Sequence, residues 1–173
     1  MTPRKPISHI IAGLMISSLL VILTIGTRYA SPGQQSMMQT LAIVIMVGGI
    51  VAFVNLYGKA KNNQVTFGNL FVYGFKITAI ITLVVILCNV VFYLSFPELK
   101  AKILEASRQT MVAEGKKTDA EIEEVLKAAR NGFWVYMAGS ILFIYAIIGA
   151  VASLAGAAVT KKVPVNPVDQ LDS

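Results

Sequence analysis

The chain has 173 residues, 55% hydrophobic and 14% charged, with a mean hydropathy of +0.69. A soluble domain carries about 25% charged residues, so an ordinary water-soluble globule of this length is excluded. The formal net charge of +6 does not indicate nucleic acid, because the basic residues sit at the ends of apolar stretches and form no continuous stripe.

Four stretches, 7–26, 41–57, 70–96 and 133–159, are long and apolar enough to cross the roughly 30 Å hydrocarbon layer as helices, which takes about 20 residues. They predict an all-α protein, a single membrane domain over 1–173 built as a four-transmembrane-helix bundle. Arg4 and Lys5 precede the first stretch, as they would in a signal peptide. The apolar run nevertheless exceeds the about 7–15 residues of a signal h-region, and a cut after Ala30 would put Arg28 where a small residue is required. An uncleaved first helix is therefore expected. His9, Gly13, Ser17 and Thr24 share one side of it at about 100° per residue.

The first connection, 27–40, holds Arg28 as its one basic residue. On the second span Gly48, Ala52 and Asn55 align. The second connection, 58–69, carries Lys59 and Lys61. On the third span Gly74, Thr78, Thr82 and Asn89 lie within about 60° of one another. Cys88, the only cysteine, can form neither an intrachain disulfide nor a multi-thiolate metal site and reads as a small apolar residue.

The third connection, 97–132, matches seven basic residues with seven acidic ones. Pro97 opens a helix over 98–113, with Leu99, Ile103 and Ala106 on one face, and Gly115 is a natural stop. Thr118-Asp119-Ala120-Glu121 is a capping-box pattern. Ile122, Val125, Leu126 and Ala129 then recur at the spacing of an amphipathic helix. The predicted result is an extracytoplasmic helical hairpin over 98–131, lying as a cap against the bundle. Its second arm runs nearly continuously into the fourth span through Asn131-Gly132. On that span Gly149, Ser153 and Ala157 form a row of small residues, with Ala146 and Gly156 beside it. Residues 163–173 read as a short disordered tail that begins after Lys161-Lys162.

Short segments with excess Lys and Arg stay in the cytoplasm. That rule puts the N-terminus, the second connection and the C-terminal tail inside, with the third connection outside. The expected location is thus within a membrane, with both termini on its cytoplasmic side. Helices in lipid associate through small residues and hydrogen bonds, so the stripes are expected to face the bundle centre as packing surfaces. Three polar residues in or beside the spans stand out: His9, Asn55 and Lys76. Lys76 is about 9 Å of helix rise beyond Leu70, within snorkelling reach of the headgroups. His9, the only histidine, has no ligand-spaced carboxylate or thiol beside it.

No acidic residue lies within a span, and no phosphate-binding loop, GxSxG or His-Glu-x-x-His motif occurs. The chain is therefore expected not to be an enzyme, and to need no cofactor or bound metal. Val65-Thr66-Phe67-Gly68, Gly74-Phe75-Lys76, Asn89 through Tyr93 and Phe96-Pro97-Glu98 resemble domain-of-unknown-function family 4199. Its members are bacterial integral membrane proteins of about this length, predicted with four spans and a long loop between the third and fourth. The resemblance implies that architecture, a location in the bacterial inner membrane and no mechanism, and it gives weight to Lys76 within Gly74-Phe75-Lys76. Three functions are weighed. One is an accessory or self-associating subunit that works by helix packing, with the lipid bilayer and another membrane protein or itself as partners and no nucleic acid. The alternative is a small transporter or channel component, whose polar route would have to pass an apolar middle around Leu20, Ile45 and Leu83. The third is a membrane enzyme on lipid, whose activity would depend on a hairpin carboxylate.

Overall fold

The computed structural model describes residues 6–27 and 31–163, apart from the side chains at 32 and 33. The flanking basic pair Arg4-Lys5, Arg28 and the predicted tail beyond Val163 lie outside the described residues. Six helices follow one another: α1 (His9–Gly26), α2 (Pro32–Ala60), α3 (Phe67–Ser95), α4 (Pro97–Glu114), α5 (Asp119–Asn131) and α6 (Phe133–Val159). There is no strand among the described residues. Four of the helices are long and apolar enough to cross a membrane: His9–Gly26, Gln34–Ala60, Phe67–Ser95 and Phe133–Val159. Only 17–28% of each apolar window is buried within the chain, so most of that surface needs a non-aqueous solvent. The protein is a multi-pass, all-helical membrane protein.

Local chemistry sets the helix ends. Ser8 accepts the Ile10 N–H at 3.3 Å and starts α1. Helix α2 begins at Pro32, not at 41, which reduces the first connection to 27–31. The Ser31 N–H donates to Gln34 Oε1 at 3.0 Å, and Pro occupies the first turn, where its missing N–H costs nothing. The polar residues Gln34, Gln35 and Ser36 hid that turn from a reading based on hydropathy. Thr66 Oγ1 accepts the Asn69 N–H at 3.2 Å at the start of α3. Pro97 both ends α3 and opens α4, since the residue before a proline avoids the helical region. Gly115 closes α4 in the left-handed conformation at φ 63°, which glycine adopts without steric cost.

The chain gathers into two compact units, 1–85 with 144–173, and 86–143. In the first unit, Ala12, Ile50, Val54, Leu70, Ile77, Ile81, Ala152 and Ala157 are fully buried. The Tyr73 O–H donates to the Ile7 carbonyl at 2.8 Å, and the Val163 N–H donates to the Asn63 carbonyl at 2.9 Å. These bonds bring the start of α1, the 61–66 connection and the end of α6 to one end of this unit. Asn62 and Asn63 turn that connection through left-handed backbone at φ 55° and 59°, a conformation asparagine tolerates better than most residues.

In the second unit, α4 and α5 pack on one another, and Ala101, Leu104, Glu105 and Arg108 of α4 line an open hollow with Glu123, Leu126 and Arg130 of α5. Arg108 pairs with Glu123 at 3.7 Å between exposed side chains, and the short 115–118 connection turns α5 back along α4. The expected helix over 98–113 is present as α4, with Leu99, Ile103 and Ala106 on one face by helical geometry. None of its residues is buried, Leu99 being half-buried and Ile103 and Ala106 exposed. The α5 pattern holds in part, with Ile122 and Leu126 buried and Val125 exposed. Phe133 is buried under Tyr93, edge-on at 5.2 Å, and the Lys100 ammonium lies 4.9 Å from its ring centre. Between α5 and α6, Gly132 keeps the backbone ladder nearly unbroken, with Gly132 N–H bonded to Ala128 O and Tyr136 N–H to Gly132 O.

The capping box at α5 gives a first expected result. The Thr118 N–H donates to Glu121 Oε2 at 2.7 Å and the Glu121 N–H donates back to Thr118 Oγ1 at 3.4 Å. Bonding to the Thr118 amide, then to its hydroxyl, holds the Glu121 carboxyl below its ordinary 4.5. A carboxyl lowered on folding stabilises the helix fully above its ordinary value, and that contribution is lost as the pH falls through the lowered one. Hydrogen exchange of the amides at 118–121 is therefore expected to accelerate as the pH drops below 4.5, once corrected for the intrinsic rate. Thr118→Ala is expected to weaken the α5 start by about 1 kcal/mol. Because the amide at 118 still bonds the carboxylate, it is expected only to reduce that pH dependence, whereas Glu121→Gln is expected to abolish it. An unchanged dependence in Glu121→Gln would show that Glu121 is not held by this cap.

Candidate functional site

Two features of the first unit collect the candidate residues. The first is the crossing of α3 and α6. A Cβ built at Gly74 would lie 2.7 Å from Ser153 Oγ and 2.9 Å from Val54 Cγ2, and one at Gly149 would lie 2.7 Å from Thr78 Cβ. Each helix thus places a glycine under the hydroxyl residue of the other. The two hydroxyls bond back to their own helices, Thr78 to Gly74 O at 3.2 Å and Ser153 to Gly149 O at 2.6 Å. Gly74, Thr78, Gly149 and Ser153 are therefore brought together, as a reciprocal pair of glycine seats. Thr82 and Ala157 are buried on the same two helices. Gly13 meets the Ile80 side chain with a built Cβ at 2.7 Å, and buried Ser17 donates to Gly13 O at 2.7 Å.

The expected stripe on α2 is not the face that packs. Gly48 and Ala52 are exposed, nothing lies within 4 Å of a Cβ built at Gly48, and Asn55 is half-buried. The buried face instead runs through Met46, Ile50, Val54 and Gly58. Beside it Gly49 meets Ile16 at 2.9 Å, and a Cβ at Gly58 would be 3.5 Å from Leu70 Cδ2. Large β-branched side chains fill this face, so a search for small and polar residues picked the wrong side. Thr24 is also exposed, and its hydroxyl bonds to Leu20 O at 2.8 Å. Asn89 and Cys88 are half-buried on the part of α3 that belongs to the second unit. Of the residues expected to form an apolar middle, Leu20 is buried, Ile45 is half-buried and Leu83 is exposed.

The second feature is an open-sided hollow of about 410 Å³ at the end of the unit where α1 starts. It is lined by Ser8, His9, Tyr57, Asn69, Tyr73 and Lys76, with Pro6, Ile7 and Val72. Tyr57 and Tyr73 stack with ring centres 4.2 Å apart and form its wall. Tyr73 spends its proton on Ile7 O, which ties the segment before α1 to α3. The sequence singled out His9 and Lys76 separately, and the structure brings them to one cavity. Lys76 lies nine residues after the start of α3 at Phe67, a rise of about 14 Å, and its side chain is exposed. Tyr57 and Asn69 were missed as lining residues, because their proximity depends on how three helices meet. Among the described residues, no group of three or more His, Cys, Asp or Glu side chains could hold a metal ion.

A comparison with known families matches residues 9–162 to a family described as a protein of unknown function, DUF4199. The chain belongs to domain-of-unknown-function family 4199. That match spans all six helices of the fold, so both the α3–α6 crossing and the hollow fall within the DUF4199 region. No curated protein and no solved structure matches this DUF4199 chain.

Proposed function

We propose that this DUF4199 protein is a non-catalytic subunit of a membrane assembly, acting through contacts between helices with another membrane protein or a second copy of itself. It resides in the bacterial inner membrane with both termini in the cytoplasm. The observation that carries the reading is the state of the hydroxyls inside the first unit. Ser17, Thr78, Thr82, Ser153 and Thr160 are buried. Each donates to the carbonyl four residues earlier on its own helix, at 2.6–3.2 Å. No buried side-chain nitrogen or oxygen among the described residues lacks a partner. Such an interior suits tight packing and offers little to a polar solute, which favours the subunit over the transporter. Lys59, Lys61, Lys161 and Lys162 flank α2 and α6 where those helices end, which supports a cytoplasmic side there.

The test is purification of the full chain in mild detergent, with light scattering and mass spectrometry of whatever accompanies it. The expected result is a complex larger than the 18.6 kDa chain, either a defined oligomer or a stoichiometric membrane partner. A lone 18.6 kDa monomer that persists in lipid nanodiscs would contradict the proposal.

A further inference from the structure

We infer that the hollow between α1, α2 and α3 binds the phosphate of an anionic phospholipid headgroup, with Lys76 as its cation and His9, Ser8 and Asn69 as hydrogen-bonding groups. The inference rests on α3 crossing the bilayer and is independent of the subunit reading above.

The argument begins from charge. The described part of the first unit holds Lys59, Lys61, Lys76, Lys161 and Lys162 and no Asp or Glu at all. All described acidic residues, Glu98 through Glu124, belong to the second unit. The two ion pairs among the described residues also lie there. Among the described residues of its unit Lys76 therefore has no carboxylate to pair with, although it stands within an apolar helix. A cation in that position needs an anion or water, and its long side chain reaches toward the headgroup layer, where the bilayer supplies phosphates. Basic hollows between spans on the cytoplasmic side are a known mode of headgroup recognition.

The lining fits such a guest. Ser8, His9, Asn69 and Tyr57 carry groups able to donate to phosphate oxygens, and no carboxylate among the described residues lines the hollow. The carbonyl of Ile7, one of the lining residues, is already bonded by Tyr73 O–H at 2.8 Å, which offsets its repulsion of an anion. The volume of about 410 Å³ is in the roughly 300–1,000 Å³ range of small-molecule sites. The opening is flanked by exposed Ile7 and Val72, which suit the start of an acyl chain.

The test is native mass spectrometry of the full chain in detergent, titrated with dioleoyl phosphatidylglycerol, with dioleoyl phosphatidylcholine as the zwitterionic comparison. Binding of phosphatidylglycerol is expected to exceed that of phosphatidylcholine and to weaken about fivefold in Lys76→Gln. Lys76→Arg is expected to keep it. Lys59→Gln, with the same change in net charge at a residue outside the hollow, is expected to leave it within twofold. Equal losses in Lys76→Gln and Lys59→Gln, or equal binding of the two lipids, would overturn the site. Displacement of phosphatidylglycerol by millimolar inorganic phosphate would overturn the lipid assignment in favour of a soluble phosphate. Carbonate extraction of Lys76→Gln keeps this failure distinct from loss of membrane insertion, since the variant is expected to stay in the membrane pellet.

Discussion

Replacing Gly149 with leucine is expected to lower the temperature at which the detergent-solubilised protein aggregates by about 10 °C. The reason is the reciprocal seat between α3 and α6. Thr78 fills the space above Gly149 so closely that even a Cβ would fall 2.7 Å from the threonine Cβ, well inside van der Waals contact. Thr78 cannot retreat easily, because its hydroxyl is bonded to Gly74 O and its side chain is buried. The helices must separate, and the second seat, Gly74 under Ser153, opens with them. Lipid tails gain nothing from the exposed surface, so the loss is one of close packing and not of hydrophobic burial. Overpacking on this scale costs about 3 kcal/mol, and for a chain of this size each 1 kcal/mol is about 2–4 °C.

The control lies on the same helix. Gly139 is exposed with nothing within 4 Å of a built Cβ, so Gly139→Leu is expected to shift the midpoint by no more than about 2 °C. Thr78→Gly added to Gly149→Leu is expected to recover part of the loss, because the two side chains couple through direct contact. Equal midpoints for Gly149→Leu and Gly139→Leu, measured by size-exclusion chromatography after heating, would show that α6 does not seat on α3 here.

The seat also shows what the sequence could and could not reveal. Gly74, Thr78, Gly149 and Ser153 were legible because small and hydroxyl residues recur at helical spacing in otherwise bulky apolar runs. On α2 the same rule selected Gly48 and Ala52, which are exposed. That helix is apolar all round, so periodicity gave no contrast from which to choose a face, and Ile50 and Val54 form the buried one. On α4 the apolar residues Leu99, Ile103 and Ala106 share one face, yet no residue of that helix is buried, so spacing there located a face without saying what covers it. Helix caps were more reliable where their chemistry is local. Thr118-Glu121 and Gly115 were legible, whereas Ser31-Gln34 was overlooked because polar residues fill the turn after it. The hollow was out of reach from sequence, since it needs the Ile7–Tyr73 bond and the Tyr57–Tyr73 stack to bring His9 near Lys76.

The arrangement of four crossings with the start of α1 and the end of α6 on one side gives an all-or-none expectation for labelling. Cys88 is the only native thiol, so Cys88→Ser provides a silent background for single cysteines. Gln64→Cys lies in the 61–66 connection, whose Asn63 carbonyl bonds Val163. Lys116→Cys lies between α4 and α5 and is exposed. In intact cells a membrane-impermeant maleimide is expected to label Lys116→Cys fully and Gln64→Cys only after the membrane is breached. Labelling of both positions from the same side, or of Gln64→Cys alone in intact cells, would contradict the account.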